Sequence, residues 1–129
     1  MIDVLIVDDY LEIVESMREN LEEAGLKTEC ISSGAEALTR IKDKTSQFRL
    51  ALVDLGLGGE VEGLDVIKAI HSERPQVVVI AISGNIDDKI QTETLNAGAK
   101  EVWLKPFEGI NFASKISGLL GGSTPPGQK

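Results

Sequence analysis

Apolar positions along the chain follow two patterns that alternate five times. Ile2 to Val7, Lys27 to Ile31, Arg49 to Val53, Val77 to Ile82 and Glu101 to Leu104 are short runs, several of them rich in β-branched residues and bounded by turn formers. Runs of that length and make-up predict strands. Between them the apolar residues recur at helical spacing. Ile13, Val14, Met17, Leu21 and Ala24 lead to Gly25, a C-terminal stop, with Asp9 as the expected N-cap. Ser33 stands three residues before Glu36 in a capping-box pattern, followed by Ala37, Leu38 and Ile41. A third helix is expected from Leu64 to Glu73, with Leu64, Ile67 and Ile70 inward and Pro75 beyond its end. Asn85 or Asp87 caps a fourth, which closes at Asn96-Ala97-Gly98. A fifth, after Pro106, carries Ile110, Ala113, Ile116 and Leu119/Leu120.

Strands alternating with helices imply right-handed crossovers and a parallel sheet covered on both faces. The expected fold class is therefore α/β, a doubly wound five-stranded parallel sheet. Its 129 residues fit one domain. A chain of that size buries roughly two thirds of its unfolded surface, enough for a core without disulfides. Cys30 is the lone cysteine, set among apolar residues, and is expected to be reduced and inert.

Charge narrows the range of partners. A net charge of −8 disfavours nucleic acid and anionic membranes, and no basic run offsets it. No apolar stretch reaches membrane-spanning length, and Met1-Ile2-Asp3 is not the start of a signal peptide, so a cytoplasmic location is expected.

Four of the five strand-like runs end in reactive groups. Asp8 and Asp9 follow the first, Asp54 the third, Ser83 the fourth, and Lys105-Pro106 the fifth. The C-terminal ends of parallel strands share one edge, where open α/β folds place their ligand crevice. Three carboxylates, a hydroxyl and an ammonium gathered there suit a hard divalent cation and a phosphoryl group. A carboxylate there can act as nucleophile on phosphorus. Lys105 can neutralise one equatorial oxygen and Ser83 can hydrogen-bond another. Asp87 and Asp88 read as caps of the fourth helix, His71 as exposed, and Trp103 and Phe107 as packing residues.

The set Asp8-Asp9, Asp54, Ser83 and Lys105-Pro106-Phe107 resembles the signature of response-regulator receiver domains of two-component signalling, CheY-like proteins with a flavodoxin-like fold. The resemblance runs from about Ile2 to Leu120, so residues 1–120 are expected to form the receiver domain and 121–129 a disordered tail or the start of a linker. It implies strand order 2-1-3-4-5. It also implies Asp54 as phosphoacceptor, and Mg²⁺ held by Asp9, Asp54 and the Gly56 carbonyl, with Asp8 acting through a metal-bound water. Ser83 and Lys105 would contact the phosphoryl group, and the Lys105–Pro106 peptide would be cis. The implied partners are a sensor histidine kinase or histidine phosphotransfer protein and a downstream protein target.

The chain departs from the family pattern in three places. Gly58 stands where receivers often carry proline, in a loop (Gly56 to Gly63) that reads one residue longer than the commonest form, which predicts a more mobile loop. Val102 stands where an aromatic is usual, and Ser83 where Thr is commoner. No helix-turn-helix, basic helix or second core is read in the sequence. Output through protein contacts or onward phosphotransfer is therefore expected, unless the chain is a piece of a larger one whose linker begins near Gly121. The rival readings are an aspartate-nucleophile phosphatase, an FMN binder, and a receiver-fold interaction module working without phosphorylation. The first lacks an acid two residues after Asp54, where Gly56 stands. The second lacks a phosphate loop after the first strand. The third draws on Val102.

Overall fold

The computed structural model describes residues 1–105 and 112–120. Five parallel strands form one sheet: β1 (Ile2–Val7), β2 (Thr28–Ile31), β3 (Phe48–Asp54), β4 (Val78–Ser83) and β5 (Glu101–Leu104). Their spatial order is 2-1-3-4-5, as expected. The helices between them are α1 (Leu11–Glu23), α2 (Gly34–Lys42), α3 (Gly63–Glu73), α4 (Asp88–Ala97) and α5 (Phe112–Leu119).

Two cores sandwich the sheet because side chains alternate along every strand. On one face Leu5, Val7, Ala51, Val53, Val79 and Ala81 meet Ala37 and Ile41 of α2, Val66, Ile67 and Ile70 of α3, and Ala97 of α4. On the other, Val4, Ile6, Leu50, Leu52, Ile80 and Ile82 meet Val14, Met17 and Leu21 of α1 and Ile116 of α5. The central strands β1, β3 and β4 are thus apolar on both faces, which accounts for runs without polar alternation.

Several local expectations hold in detail. Ser33 caps α2 and accepts from the Glu36 N–H at 3.1 Å. Asp87 caps α4 and accepts from Ile90 at 2.8 Å. Gly98, at φ 125°, closes α4 in a backbone region that L side chains rarely adopt.

Other expectations are corrected. The N-cap of α1 is Tyr10, with no side-chain cap, because the Asp9 carboxylate instead accepts from Gly58. Ala24 is exposed, since α1 ends at Glu23 and Ala24 turns out of the helix as its C-cap. On α3, Val66 is fully buried and Leu64 only half-buried. That helix begins one residue early, at Gly63, with a reciprocal capping box between Glu62 and Asp65 that carries acids in both places. Trp103, half-buried, does pack against the core on the face of α1 and α5 as expected; in addition Lys115 lies 4.9 Å over its ring, and its indole N–H donates to Glu101 at 2.6 Å. The Lys105–Pro106 peptide, Phe107, Ile110 and residues 121–129 lie outside the described residues.

Candidate functional site

Sheet register delivers the site. Val7 of β1 pairs with Val53 of β3, so the next residues, Asp8 and Asp54, emerge side by side. Asp54 pairs with Ile82, one residue before Ser83, and Ser83 pairs with Leu104, one residue before Lys105. The backbone N–H of Lys105 donates to the Ser83 carbonyl at 2.8 Å, which extends the β4–β5 pairing to the lysine itself.

Asp8, Asp9 and Asp54 each place one carboxylate oxygen within 4.8 Å of the other two. Asp8 and Asp54 are buried, at 2% and 5% exposure, while Asp9 is exposed. The Lys105 ammonium stands 3.2 Å from Asp8 Oδ2 and 3.3 Å from Asp54 Oδ1. Three negative charges therefore face one positive charge. Burial pushes the Asp8 carboxyl above the ordinary carboxylate value, and the nearby charge of Asp54 adds to the rise. The Tyr10 N–H and the Lys105 ammonium oppose it.

Backbone donors complete the picture. Asp8 Oδ1 accepts from Tyr10 at 2.9 Å, Asp54 Oδ1 from Gly56 at 3.0 Å, and Asp9 Oδ2 from Gly58 at 3.3 Å. Sequence reasoning overlooked Tyr10 and Gly58 as donors, because any residue type supplies a backbone N–H. It also overlooked Gly63. A Cβ there would sit 2.1 Å from the Asp54 carbonyl oxygen, so only glycine lets α3 begin against the end of β3. Gly34 plays the same part for α2, where a Cβ would lie 2.4 Å from the Val61 carbonyl oxygen.

Four of the expected site residues, Asp8, Asp9, Asp54 and Lys105, form one cluster. Ser83 lies on the same edge of the sheet, half-buried, but its hydroxyl is engaged in its own turn. It donates to the Asn85 carbonyl at 2.7 Å and accepts from the Asn85 N–H at 3.2 Å. Gly56 is joined to the cluster through its N–H.

The donor set suits a hard cation. It offers three carboxylates and no soft ligand, and Asp8 Oδ2 is a buried oxygen that accepts no well-aligned hydrogen bond. A divalent ion would relieve the excess of negative charge that Lys105 only partly offsets.

The family model of the response regulator receiver domain matches residues 4–117. The chain belongs to this family. It is 30% identical over 119 residues to the two-component response regulator PhoP of Pseudomonas aeruginosa, covering 91% of this chain and 51% of the relative. The chain spans about half the length, or less, of the curated relatives it matches.

Among solved structures, a CheY-like receiver domain protein from Methanospirillum hungatei superimposes with a TM-score of 0.84 at 31% identity, covering 93% of this chain and 94% of that one. The response regulator TrrA from Thermotoga maritima, solved in complex with Mg²⁺ and BeF, gives 0.77 at 26% identity, covering 92% and 99%. A receiver of two-component signalling is thus the family assignment that the site geometry has to serve. Among the described residues no helix is long and apolar enough to cross a membrane.

Proposed function

We propose that this receiver accepts a phosphoryl group on Asp54 from the phosphohistidine of a sensor kinase or histidine phosphotransfer protein. The arrangement of three carboxylates around one ammonium at the C-terminal edge of the sheet carries this reading. A carboxylate oxygen of Asp54 attacks phosphorus, the bond from phosphorus to the donor imidazole breaks, and the phosphoryl group becomes an acyl phosphate. Lys105, already 3.3 Å from Asp54 Oδ1, stays within reach of an oxygen of the transferred group and balances its charge. Asp8 and Asp9, with Asp54 and the Gly56 carbonyl, would hold Mg²⁺. That ion supplies charge neutralisation for the in-line transfer.

Ser83 serves the phosphoryl group only after its hydroxyl leaves the Asn85 turn, so its two hydrogen bonds there are exchanged when the site is modified. The chain promotes only its own phosphorylation and dephosphorylation, and it signals by altered contacts with a downstream protein or by onward phosphotransfer. A cytoplasmic location, and a receiver domain of residues 1–120 followed by a tail or linker at 121–129, belong to the same reading.

The test is direct. Incubation with acetyl phosphate and Mg²⁺ should add one acid-stable, base-labile phosphoryl group detectable by mass, and Asp54→Asn should abolish it. Unchanged incorporation in Asp54→Asn would sink the assignment of the nucleophile.

A further inference from the structure

Beside the carboxylate cluster, the loop after β3, the start of α3, the end of β4 and α4 line an open cleft of about 260 Å³. Leu55, Leu64 and Ile90, all half-buried, contribute its apolar wall. Thr94 also lines it; it is buried at 1% exposure, and its hydroxyl is turned away from the cleft's needs by donation to the Ile90 carbonyl at 2.6 Å. Two exposed acids, Glu62 on the α3 side and Glu93 on α4, belong to the same lining. Neither forms an ion pair among the described residues, although Lys89 stands one turn before Glu93 on the same helix. The Glu62 side chain accepts only the Asp65 N–H of the capping box, which leaves its carboxylate with spare acceptor capacity.

An apolar wall beneath two unpaired carboxylates matches one kind of occupant. Arginine combines a hydrocarbon stem with a weakly hydrated, planar cation whose five donors suit two acceptors at once. The cleft falls just below the roughly 300–1,000 Å³ typical of small-molecule sites, so a single side chain fits it better than a whole cofactor. We propose that this cleft receives an arginine side chain of a protein partner, its stem on Leu55, Leu64 and Ile90 and its guanidinium at the acidic rim of Glu62 and Glu93. Gly56 and Ser83 also line the cleft, so a partner seated there touches both loops that flank Asp54.

The test uses n-butylguanidinium as the probe and n-butylurea as its neutral isostere, titrated at constant ionic strength and followed by amide NMR. It is run on metal-free, unphosphorylated protein, so it stands or falls separately from the phosphoacceptor reading. Saturable shifts are expected at Leu55, Gly56, Leu64, Ile90 and Thr94 with butylguanidinium, and much weaker ones with butylurea. Glu93→Gln and Glu62→Gln, the latter keeping an acceptor for the capping box, should each weaken the apparent affinity about threefold, as loss of one partly exposed ion pair would. Equal response to the neutral isostere overturns the proposal, as do shifts spread over the glutamates of α1 (Glu12, Glu15, Glu19, Glu22 and Glu23), affinities unchanged in both variants, or no saturable shift at these amides.

Discussion

Lys105→Met is the substitution that most directly tests the charge balance at the sheet edge. The ammonium lies 3.2 Å from Asp8 and 3.3 Å from Asp54, and its side chain is 13% exposed. At an effective dielectric near 20, each contact is worth about 5 kcal/mol of gross attraction. Much of that is cancelled by the cost of desolvating the lysine. Removing one partner of such a buried arrangement nevertheless leaves the others uncompensated, so a net loss of about 3 kcal/mol is expected in EDTA. Methionine preserves most of the unbranched stem, so the loss reports charge rather than packing.

The same argument fixes the sign of the metal response. The ammonium and Mg²⁺ compete to neutralise one set of carboxylates and repel each other. Without Lys105 the proposed site should bind Mg²⁺ more tightly. A tenfold gain in affinity adds about 1.4 kcal/mol of stabilisation at saturating metal. The cost of the substitution should therefore fall by about half, to roughly 1.5 kcal/mol, once millimolar Mg²⁺ replaces EDTA. Urea unfolding followed by far-UV circular dichroism measures both values. A loss below about 1 kcal/mol in EDTA would refute the ion-pair argument. An identical loss in both buffers would show that Mg²⁺ does not sit against these carboxylates.

Three further outcomes are expected. Mg²⁺ should raise the melting temperature of the wild type, and Asp9→Asn should lose most of that rise; an unchanged rise would remove Asp9 from the metal site. Because burial holds the Asp8 carboxyl above its unfolded value of 3.8, the metal-free native state keeps its proton to higher pH than the unfolded chain. Stability should then decline as pH rises from about that unfolded value through the folded one, and Asp8→Asn, which carries no such charge, should be the more stable protein in EDTA at neutral pH. Denaturation midpoints across the acid range that run parallel in the two proteins would contradict this. Gly63→Ala forces a Cβ against the Asp54 carbonyl, and should cost about 1–3 kcal/mol by displacing the start of α3. An alanine variant as stable as wild type would mean that the two elements can part without penalty.

The sheet was legible because the apolar runs of β1, β3 and β4 face two cores at once and are too short and too β-branched for helices, whereas the order of its strands came from the resemblance to receiver domains, which periodicity does not supply. The cluster was legible for a related reason. A parallel sheet sends every strand end to one edge, so Asp8, Asp54 and Lys105 had to converge once the strands were placed. Asp9 was misjudged as a cap because its partner, the Gly58 N–H, lies 49 residues away and carries no side-chain signal. The capping box of Glu62 and Asp65 was hidden by chemistry: glutamate is not a favoured N-cap, and here its long carboxylate folds back to the Asp65 N–H. The engagement of Ser83 with Asn85 could not be read either, since a hydroxyl rotates to whichever partner the turn brings nearest.

The β5 strand shows how a one-residue offset changes what the site can move. Side chains alternate across the sheet, so Val102, paired with Ala81, packs toward the layer of α2, α3 and α4. Trp103, paired with Ile82, packs toward α1 and α5. The one large ring on this strand is thus committed to the face away from α4, where the Lys115 ammonium and the Glu101 carboxylate hold it. Val102 on the near face is β-branched and has little rotamer freedom. Among the described residues, a change at Asp54 therefore finds no ring to swing between β5 and α4. The bonds at the site that such a change would exchange are mostly backbone ones: those of the Gly56 and Gly58 N–H groups to Asp54 and Asp9, and those of the Ser83–Asn85 turn ahead of α4. Each of these bonds ends on a group that the proposed metal or phosphoryl chemistry would claim. Under the proposed function, the loops after β3 and β4 are consequently the elements whose geometry would follow the state of Asp54.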